Sequence, residues 1–127
     1  MRSLVRWLPF ALACAGVWIA SSMRHPPVPL FLRFVHADKL LHLFGYVVLG
    51  GLALFGAGAR PLLRNAAVAW AVVAIWGAAD EWHQSFVPGR DASLGDFAAD
   101  LAGAALGVGL LAWWSSRRRA PETSGKA

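Results

Sequence analysis

Residues 65–90 decide the fold, and they read NAAVAWAVVAIWGAADEWHQSFVPGR. The stretch from Asn65 to Ala79 is almost wholly apolar, and the polar residues that follow keep a helical phase until Pro88 and Gly89 break it. An apolar helix that takes up several ionisable residues near one end is typical of a membrane span that meets a polar site. The same apolar character extends through most of the chain.

The composition points to a bilayer as the solvent. Of the 127 residues, 57% are hydrophobic and 15% are charged, whereas soluble domains carry about 25% charged residues. Seven Trp fit a protein that anchors itself at membrane interfaces. The net charge of +5 is interpreted as a topology signal, and no basic patch interleaved with aromatic residues indicates nucleic acid. The lone Cys14 excludes a disulfide framework.

Three other segments are also long enough to cross a membrane, which takes about 20 apolar residues. The predicted spans are residues 4–23, 38–58, 65–79 with the polar extension, and 96–114. The first is expected to be retained, because Ser21, Ser22 and Met23 make a poor signal-peptide cleavage site. Residues 30–35 are expected to lie on the membrane surface, and residues 115–127 to form a polar tail. The sequence thus predicts an all-α bundle of four transmembrane helices in a single domain, residues 1–127.

The basic residues predict the orientation of this bundle. Positive charges accumulate on the cytoplasmic side of membrane proteins, which places both termini in the cytoplasm of a multi-pass cell-membrane protein, as in a bacterial inner or plasma membrane. Eight Lys and Arg fall on one side and four on the other. The larger group is Arg2, Arg6, Arg60, Arg64, Arg117, Arg118, Arg119 and Lys126, and the smaller is Arg24, Arg33, Lys39 and Arg90. Six of the seven acidic residues lie toward the outer side, so any chemistry is expected there.

The polar residues of the second span share one helical face. At 100° per residue, Lys39, His42 and Tyr46 fall within roughly 60° of one another. Gly50 continues this stripe, and Asp38 lies at its edge. Because an ionisable residue inside a membrane is costly, such a face is expected to point into the bundle.

The third and fourth spans show the same pattern. Asp80 and Gln84 share a face of the third, with Glu81 on its flank. On the fourth, Asp96 and Asp100 lie in one sector of roughly 60° with two glycines. These glycines, Gly103 and Gly107, are spaced so that another helix can approach closely, and with Gly50 they are predicted to serve helix packing.

Ten residues therefore form the candidate polar pocket: Asp38, Lys39, His42, Tyr46, Asp80, Glu81, Gln84, Arg90, Asp96 and Asp100. Lys39, His42 and Arg90 are expected to hold an anionic group. Asp80, Glu81 and Asp100 would act as base, acid or ligands for a divalent cation. Asp38 and Asp96 are more simply helix caps, since Asp favours helix starts. The pattern leaves open which residue is catalytic, if any, and which metal, if any, is bound.

Three motifs in order carry a family resemblance. They are Asp38-Lys39-x-x-His42-x-x-x-Tyr46, Asp80-Glu81-x-x-Gln84-x-Phe86-x-Pro88-Gly89-Arg90, and Ser93-x-x-Asp96-x-x-x-Asp100-x-x-Gly103-x-x-x-Gly107. Over about residues 36–112 the chain resembles the VanZ-like family. This resemblance implies a multi-spanning protein of the cell envelope, and the family's namesake is associated with lowered susceptibility to the glycopeptide teicoplanin. The family often has Asn where this chain has Asp100, so a negative charge is added here.

Two classes of function fit these observations. The first is an outward-facing polar pocket that binds or processes an amphiphilic envelope component, such as a lipid-linked or other anionic one. The second is a non-enzymatic structural or accessory protein whose buried polar network only fixes helix packing. Ion translocation fits less well, because the cytoplasmic halves of the spans lack ionisable residues for a relay. A serine hydrolase is not indicated, since Ser85 or Ser93 near His83 in sequence does not make a triad.

Overall fold

The computed structural model describes residues 2–24, 37–58, 60–90 and 92–118. These residues form four helices and no strands: α1 (Arg2–Ser21), α2 (Ala37–Ala57), α3 (Leu62–Gln84) and α4 (Leu94–Arg117). Each helix is long and apolar enough to cross a membrane. The prediction of an all-α protein with four membrane-spanning helices is confirmed. The expected surface segment at residues 30–35 and the tail beyond residue 118 lie outside the described residues.

Two helices extend further than the sequence predicted. α3 begins at Leu62 instead of Asn65, directly after Pro61, whose extended backbone precedes the first helical turn. It ends at Gln84, so the polar residues from Asp80 onward belong to its last turn and a half. α4 continues to Arg117, beyond the expected end at Trp114, because the polar residues after the two tryptophans still form a helical turn.

The connection between α2 and α3 is organised by Asn65. Its buried side-chain Nδ2 donates to the carbonyl oxygens of Ala57, Gly58 and Arg60, at 2.9, 2.8 and 3.0 Å. Gly58 has a φ of +89°, a left-handed conformation that glycine adopts without strain at a helix C-terminus. One amide thus satisfies carbonyls that the end of α2 leaves without partners.

α2 and α4 make the closest helix pair. A Cβ added at Gly50 would overlap the carbonyl oxygen of Ala104, and one added at Gly103 would overlap that of Leu43. A Cβ at Gly107 would likewise overlap the carbonyl oxygen of Val47. Small residues therefore let the two backbones touch, which is a common way for helices to associate in lipid.

The apolar residues divide between a core and an exposed outer surface. Leu49, Ala53 and Val73 are fully buried in the core. Large apolar side chains such as Ile75 and Leu110 are exposed on the outside of the bundle. A soluble monomer rarely exposes so much contiguous apolar surface, so this surface fits the hydrocarbon of a bilayer.

Successive helices run in opposite directions, which gives the bundle two chemically distinct ends. The polar end contains the C-termini of α1 and α3 and the N-termini of α2 and α4, as contacts from Ser21 to Gln84 and from Lys39 to Asp96 show. At the opposite end, which we name the basic end, Arg117 and Arg118 lie over the rings of Trp113 and Trp114, at 4.3 and 3.8 Å. Such Arg–Trp pairs are typical of a membrane–water boundary.

Candidate functional site

The rim of the polar end is formed by Lys39. Its Nζ lies 3.1 Å from Asp38 Oδ2 and 3.1 Å from Asp96 Oδ1, so it links the start of α2 to the start of α4. The side chain of Asp38 is 52% exposed and that of Lys39 is 36% exposed, whereas that of Asp96 is 6% exposed. The Lys39 side chain thus extends from the surface to the buried carboxylate of Asp96.

Ser93 is the N-cap of α4 and also forms a hydrogen bond with α3. Its hydroxyl accepts from the N–H of Asp96 at 3.1 Å and donates to the Asp96 carboxylate. Its own N–H donates to Glu81 Oε2 at 3.0 Å. The expectation that Asp96 caps α4 is wrong, because Ser93 is the N-cap and Asp96 lies three residues into the helix. Asp38 lies in the first turn of α2, where a negative charge is favourable.

Below this rim, side chains from three helices converge. His42 Nδ1 lies 2.9 Å from Asp100 Oδ1 and 3.9 Å from Glu81 Oε1. One potential ligand atom from each residue lies within 4.8 Å of the others. The side chains of His42 and Glu81 are each 12% exposed and that of Asp100 is 1% exposed. These three residues are named the triad in the sections below.

Asp80 lies on the other side of α3 and faces α1. It is fully buried, and its Oδ2 accepts from Ser21 Oγ at 2.9 Å and from Gln84 Nε2 at 2.9 Å. Gln84 also donates to Ser21 Oγ at 3.3 Å, which closes a small three-residue network. Sequence reasoning missed Ser21 as a site residue. The sequence did contain a signal, because Ser21 places a hydroxyl at the end of the first apolar span, on the same side of the membrane as the acidic residues.

Tyr46 lies between these two groups. It is buried, and its ring is parallel to that of His42 with centroids 6.4 Å apart. Gly77 makes room for it, since a Cβ there would lie 3.2 Å from Tyr46 Cε1 and 3.3 Å from Asp100 Oδ2. Gly77 was not identified from the sequence, in which no second glycine on α3 marked the close approach.

Several buried polar atoms in this region have no hydrogen-bond partner among the described residues. They are Tyr46 Oη, Trp76 Nε1, Asp80 Oδ1, Glu81 Oε1 and Asp100 Oδ2. Buried polar atoms are almost always paired in native proteins. The carboxylate oxygens only accept, so the chemistry of the site suits a cation or a ligand that offers hydroxyl or amine hydrogens.

Arg90 was predicted to belong to the candidate polar pocket, but its guanidinium contacts the end of α1. Its Nε donates to the carbonyl oxygen of Met23 at 3.2 Å, and its Nη2 donates to that of Ala20 at 3.0 Å. A basic side chain on the last carbonyls of a helix stabilises that helix end. Arg90 therefore attaches the chain after α3 to the end of α1.

His83 also contacts α1. Its ring stacks on Trp18 with centroids 4.0 Å apart, and its Nε2 lies 2.9 Å from Ser22 Oγ. The two serines near it in sequence have other partners, because Ser85 Oγ donates to the Trp82 carbonyl and Ser93 caps α4. Among the described residues, His83 therefore contacts the hydroxyl of Ser22 and not that of Ser85 or Ser93.

The comparisons with known proteins extend the resemblance found in the motifs. A family model described as VanZ/LLP1 matches residues 4–115. The match begins in α1 and therefore covers more than the range from residue 36 on which the motifs lie. No curated protein and no solved structure matches the chain. A family model that covers nearly all of the four helices is sufficient to assign the chain, which belongs to the VanZ/LLP1 family.

Proposed function

We propose that this protein binds the polar headgroup of an amphiphilic envelope component at the polar end of the bundle. The observation that carries the proposal is the set of buried oxygens there without partners, above all Glu81 Oε1 and Asp100 Oδ2. A buried acceptor without a donor costs free energy that a suitable ligand would recover. A purely structural network would be expected to satisfy its own atoms.

The exposure of the side chains supports access from the membrane surface. On α2, side-chain exposure falls from Asp38 and Lys39 at the rim to His42. Asp100 on α4, which contacts His42, is almost fully enclosed. A headgroup with an anionic part could contact the Lys39 ammonium at the rim. Its hydroxyl or amine groups would then donate to the carboxylates below. The acyl or prenyl part would remain in the bilayer beside the apolar outer surface.

The proposed location is the outer leaflet of a bacterial plasma membrane. The positive-inside distribution of Lys and Arg supports it, because Arg6, Arg60 and Arg117 belong to the basic end. A protein that binds a lipid-linked envelope precursor there could alter susceptibility to glycopeptides such as teicoplanin, as the family resemblance implies.

Ligand-induced stabilisation tests this proposal directly, because a ligand that binds only the native state raises its stability. Thermal unfolding would be measured for the wild type, Glu81→Gln and the matched control Ser116→Ala, with and without lipid-linked envelope precursors. Ser116 is exposed at the basic end, and its hydroxyl donates to the Trp113 carbonyl within α4. We expect stabilisation of the wild type and Ser116→Ala, and its loss in Glu81→Gln. Equal stabilisation of all three would contradict the proposal, as would a folded wild type that responds to no such lipid.

A second candidate function is structural, and the enclosure of Asp80 favours it. Ser21 and Gln84 surround this carboxylate and join α1 to α3, which would fix the register of the two helices. In that case Asp80→Asn would lower the amount of folded protein in the membrane. Normal abundance together with lost lipid binding would exclude the structural candidate.

A further inference from the structure

We propose that His42, Glu81 and Asp100 bind a divalent transition-metal cation of the Zn²⁺ class. Each residue comes from a different helix, respectively α2, α3 and α4. Their potential ligand atoms, one imidazole nitrogen and two carboxylate oxygens, lie within 4.8 Å of one another. One ion would therefore bridge the three helices that build the polar end.

The distances between the ligand atoms fit a tetrahedral ion. With Zn–N and Zn–O bonds of about 2.0–2.2 Å, ligand atoms lie roughly 3.3 Å apart. The observed separations from His42 Nδ1 are 2.9 Å to Asp100 Oδ1 and 3.9 Å to Glu81 Oε1. Both values lie within about half an ångström of that separation, and the ligand atoms of Glu81 and Asp100 lie within 4.8 Å of each other.

An independent observation shows that the triad needs a further partner. The side chain of Asp100 is 1% exposed, its Oδ1 faces His42, and its Oδ2 has no hydrogen-bond partner among the described residues. Glu81 Oε1 also has no hydrogen-bond partner among the described residues, and it lies 3.9 Å from His42 Nδ1. These two oxygens could therefore coordinate a cation that the three residues do not themselves supply.

The charges in the described part of the polar end favour a cation. Lys39 pairs with Asp38 and Asp96, and Arg90 donates to backbone carbonyls of α1. Among the described residues, His42 is thus the only potential positive partner that Glu81 and Asp100 share. Two carboxylates removed from water strongly repel each other unless they are neutralised. A divalent cation supplies the two positive charges and releases the proton that His42 would otherwise carry.

The ligand types select the class of metal. Mg²⁺ and Ca²⁺ prefer oxygen ligands alone, whereas an imidazole with carboxylates suits Zn²⁺ and neighbouring first-row metals. Three protein ligands leave a coordination position open, as in zinc sites that bind a water or a substrate oxygen. The inference deepens the proposed function, since that open position would receive a headgroup oxygen. Its test needs no lipid-linked envelope precursor, so the failure of one proposal is distinguishable from the failure of the other.

Metal titration of the full-length protein tests this inference. Untagged protein in lipid nanodiscs would be stripped with a chelator and titrated with Zn²⁺ by calorimetry, then with Co²⁺ to record the visible absorption of a coordinated ion. We expect one ion per chain, with Mg²⁺ binding at least 100-fold more weakly. Glu81→Gln and Asp100→Asn should each weaken Zn²⁺ binding at least about tenfold. The control Ser116→Ala, an exposed residue at the basic end, should change it less than about twofold.

Several outcomes would overturn the inference. They are the absence of stoichiometric Zn²⁺ binding by the folded wild type, binding that Glu81→Gln leaves intact, and a Co²⁺ spectrum that is unchanged in His42→Gln. If Asp100→Asn does not fold, the wild-type titration and the Glu81→Gln and His42→Gln variants still decide the question. Loss of Zn²⁺ binding in those variants, with wild-type helicity, would support it.

Discussion

The hydroxyl of Ser21 donates to the carboxylate of Asp80 across 2.9 Å, so the last residue of α1 solvates an acid buried in α3. Ser21→Ala removes one of the two hydrogen bonds that Asp80 Oδ2 accepts. We expect the free energy of unfolding to fall by about 0.5–2 kcal/mol, the range of hydrogen bonds in proteins and between membrane helices. Chemical or thermal unfolding in detergent would measure it.

The control for this prediction is Ser116→Ala. The Ser116 hydroxyl donates only to the Trp113 carbonyl within its own helix and is exposed. Its loss should change stability by less than about 0.5 kcal/mol. Equal effects of the two substitutions would show that Ser21 does not support Asp80.

Gly107→Ala should destabilise the protein by disrupting the closest helix pair. The added methyl group would overlap the carbonyl oxygen of Val47, and overpacking of this kind costs about 1–3 kcal/mol. Gly109→Ala, two residues further along α4, provides a matched control because no atom of another described helix lies within 4 Å of its Cβ position. There the better helix propensity of Ala should leave stability unchanged or raise it by up to about 1 kcal/mol. Thermal unfolding of both variants in the same detergent would compare them, and similar losses would contradict the glycine-mediated contact.

Lys39→Gln should weaken binding of anionic headgroups several-fold while the helices remain folded. The substitution removes the ammonium between Asp38 and Asp96 at the exposed rim. Binding would be measured with lipid nanodiscs that carry anionic or zwitterionic headgroups. Arg64→Gln removes an exposed cation near the opposite end of the bundle and serves as the control. The assignment of Lys39 to the headgroup would fail if both variants lost the same affinity.

The orientation of the bundle is tested by labelling. In a Cys14→Ala background, Ala92→Cys would place a thiol at the polar end and Ser116→Cys one near the basic end, both at exposed positions. A membrane-impermeant maleimide applied to intact cells should modify Ala92→Cys, whereas Ser116→Cys should react only after permeabilisation. The reverse pattern would place the termini outside and move the proposed site to the cytoplasmic leaflet.

The helices and their polar faces could be predicted because both depend on short-range patterns. About 20 apolar residues identify a span, and the 100° step places Lys39, His42 and Tyr46 on one face. The structure brings that face against the acids of α3 and α4, as in the contact of His42 with Asp100. The family resemblance, first seen in three motifs, is confirmed by the match over residues 4–115.

The partners of individual residues could not be predicted, because they depend on how the helices pack. Nothing local in the sequence pairs Ser21 with Asp80, 59 residues away. Arg90 resembled an anion-binding residue by charge, but its guanidinium bonds to the end of α1. Asn65 was taken only as the start of a helix, whereas its amide holds three carbonyls at once. Each of these roles requires the three-dimensional placement of a second element.

The bond between Ser21 and Asp80 also has a consequence for biosynthesis. α1 leaves the ribosome before α3, so the donor for Asp80 is already in the membrane when that acid enters it. Gln84, the other donor, follows four residues later on the same helix. A nascent chain whose first helix is missing or misplaced would present Asp80 to lipid with one donor fewer. Correct placement of α1 is therefore a condition for enclosing Asp80 with both of its donors.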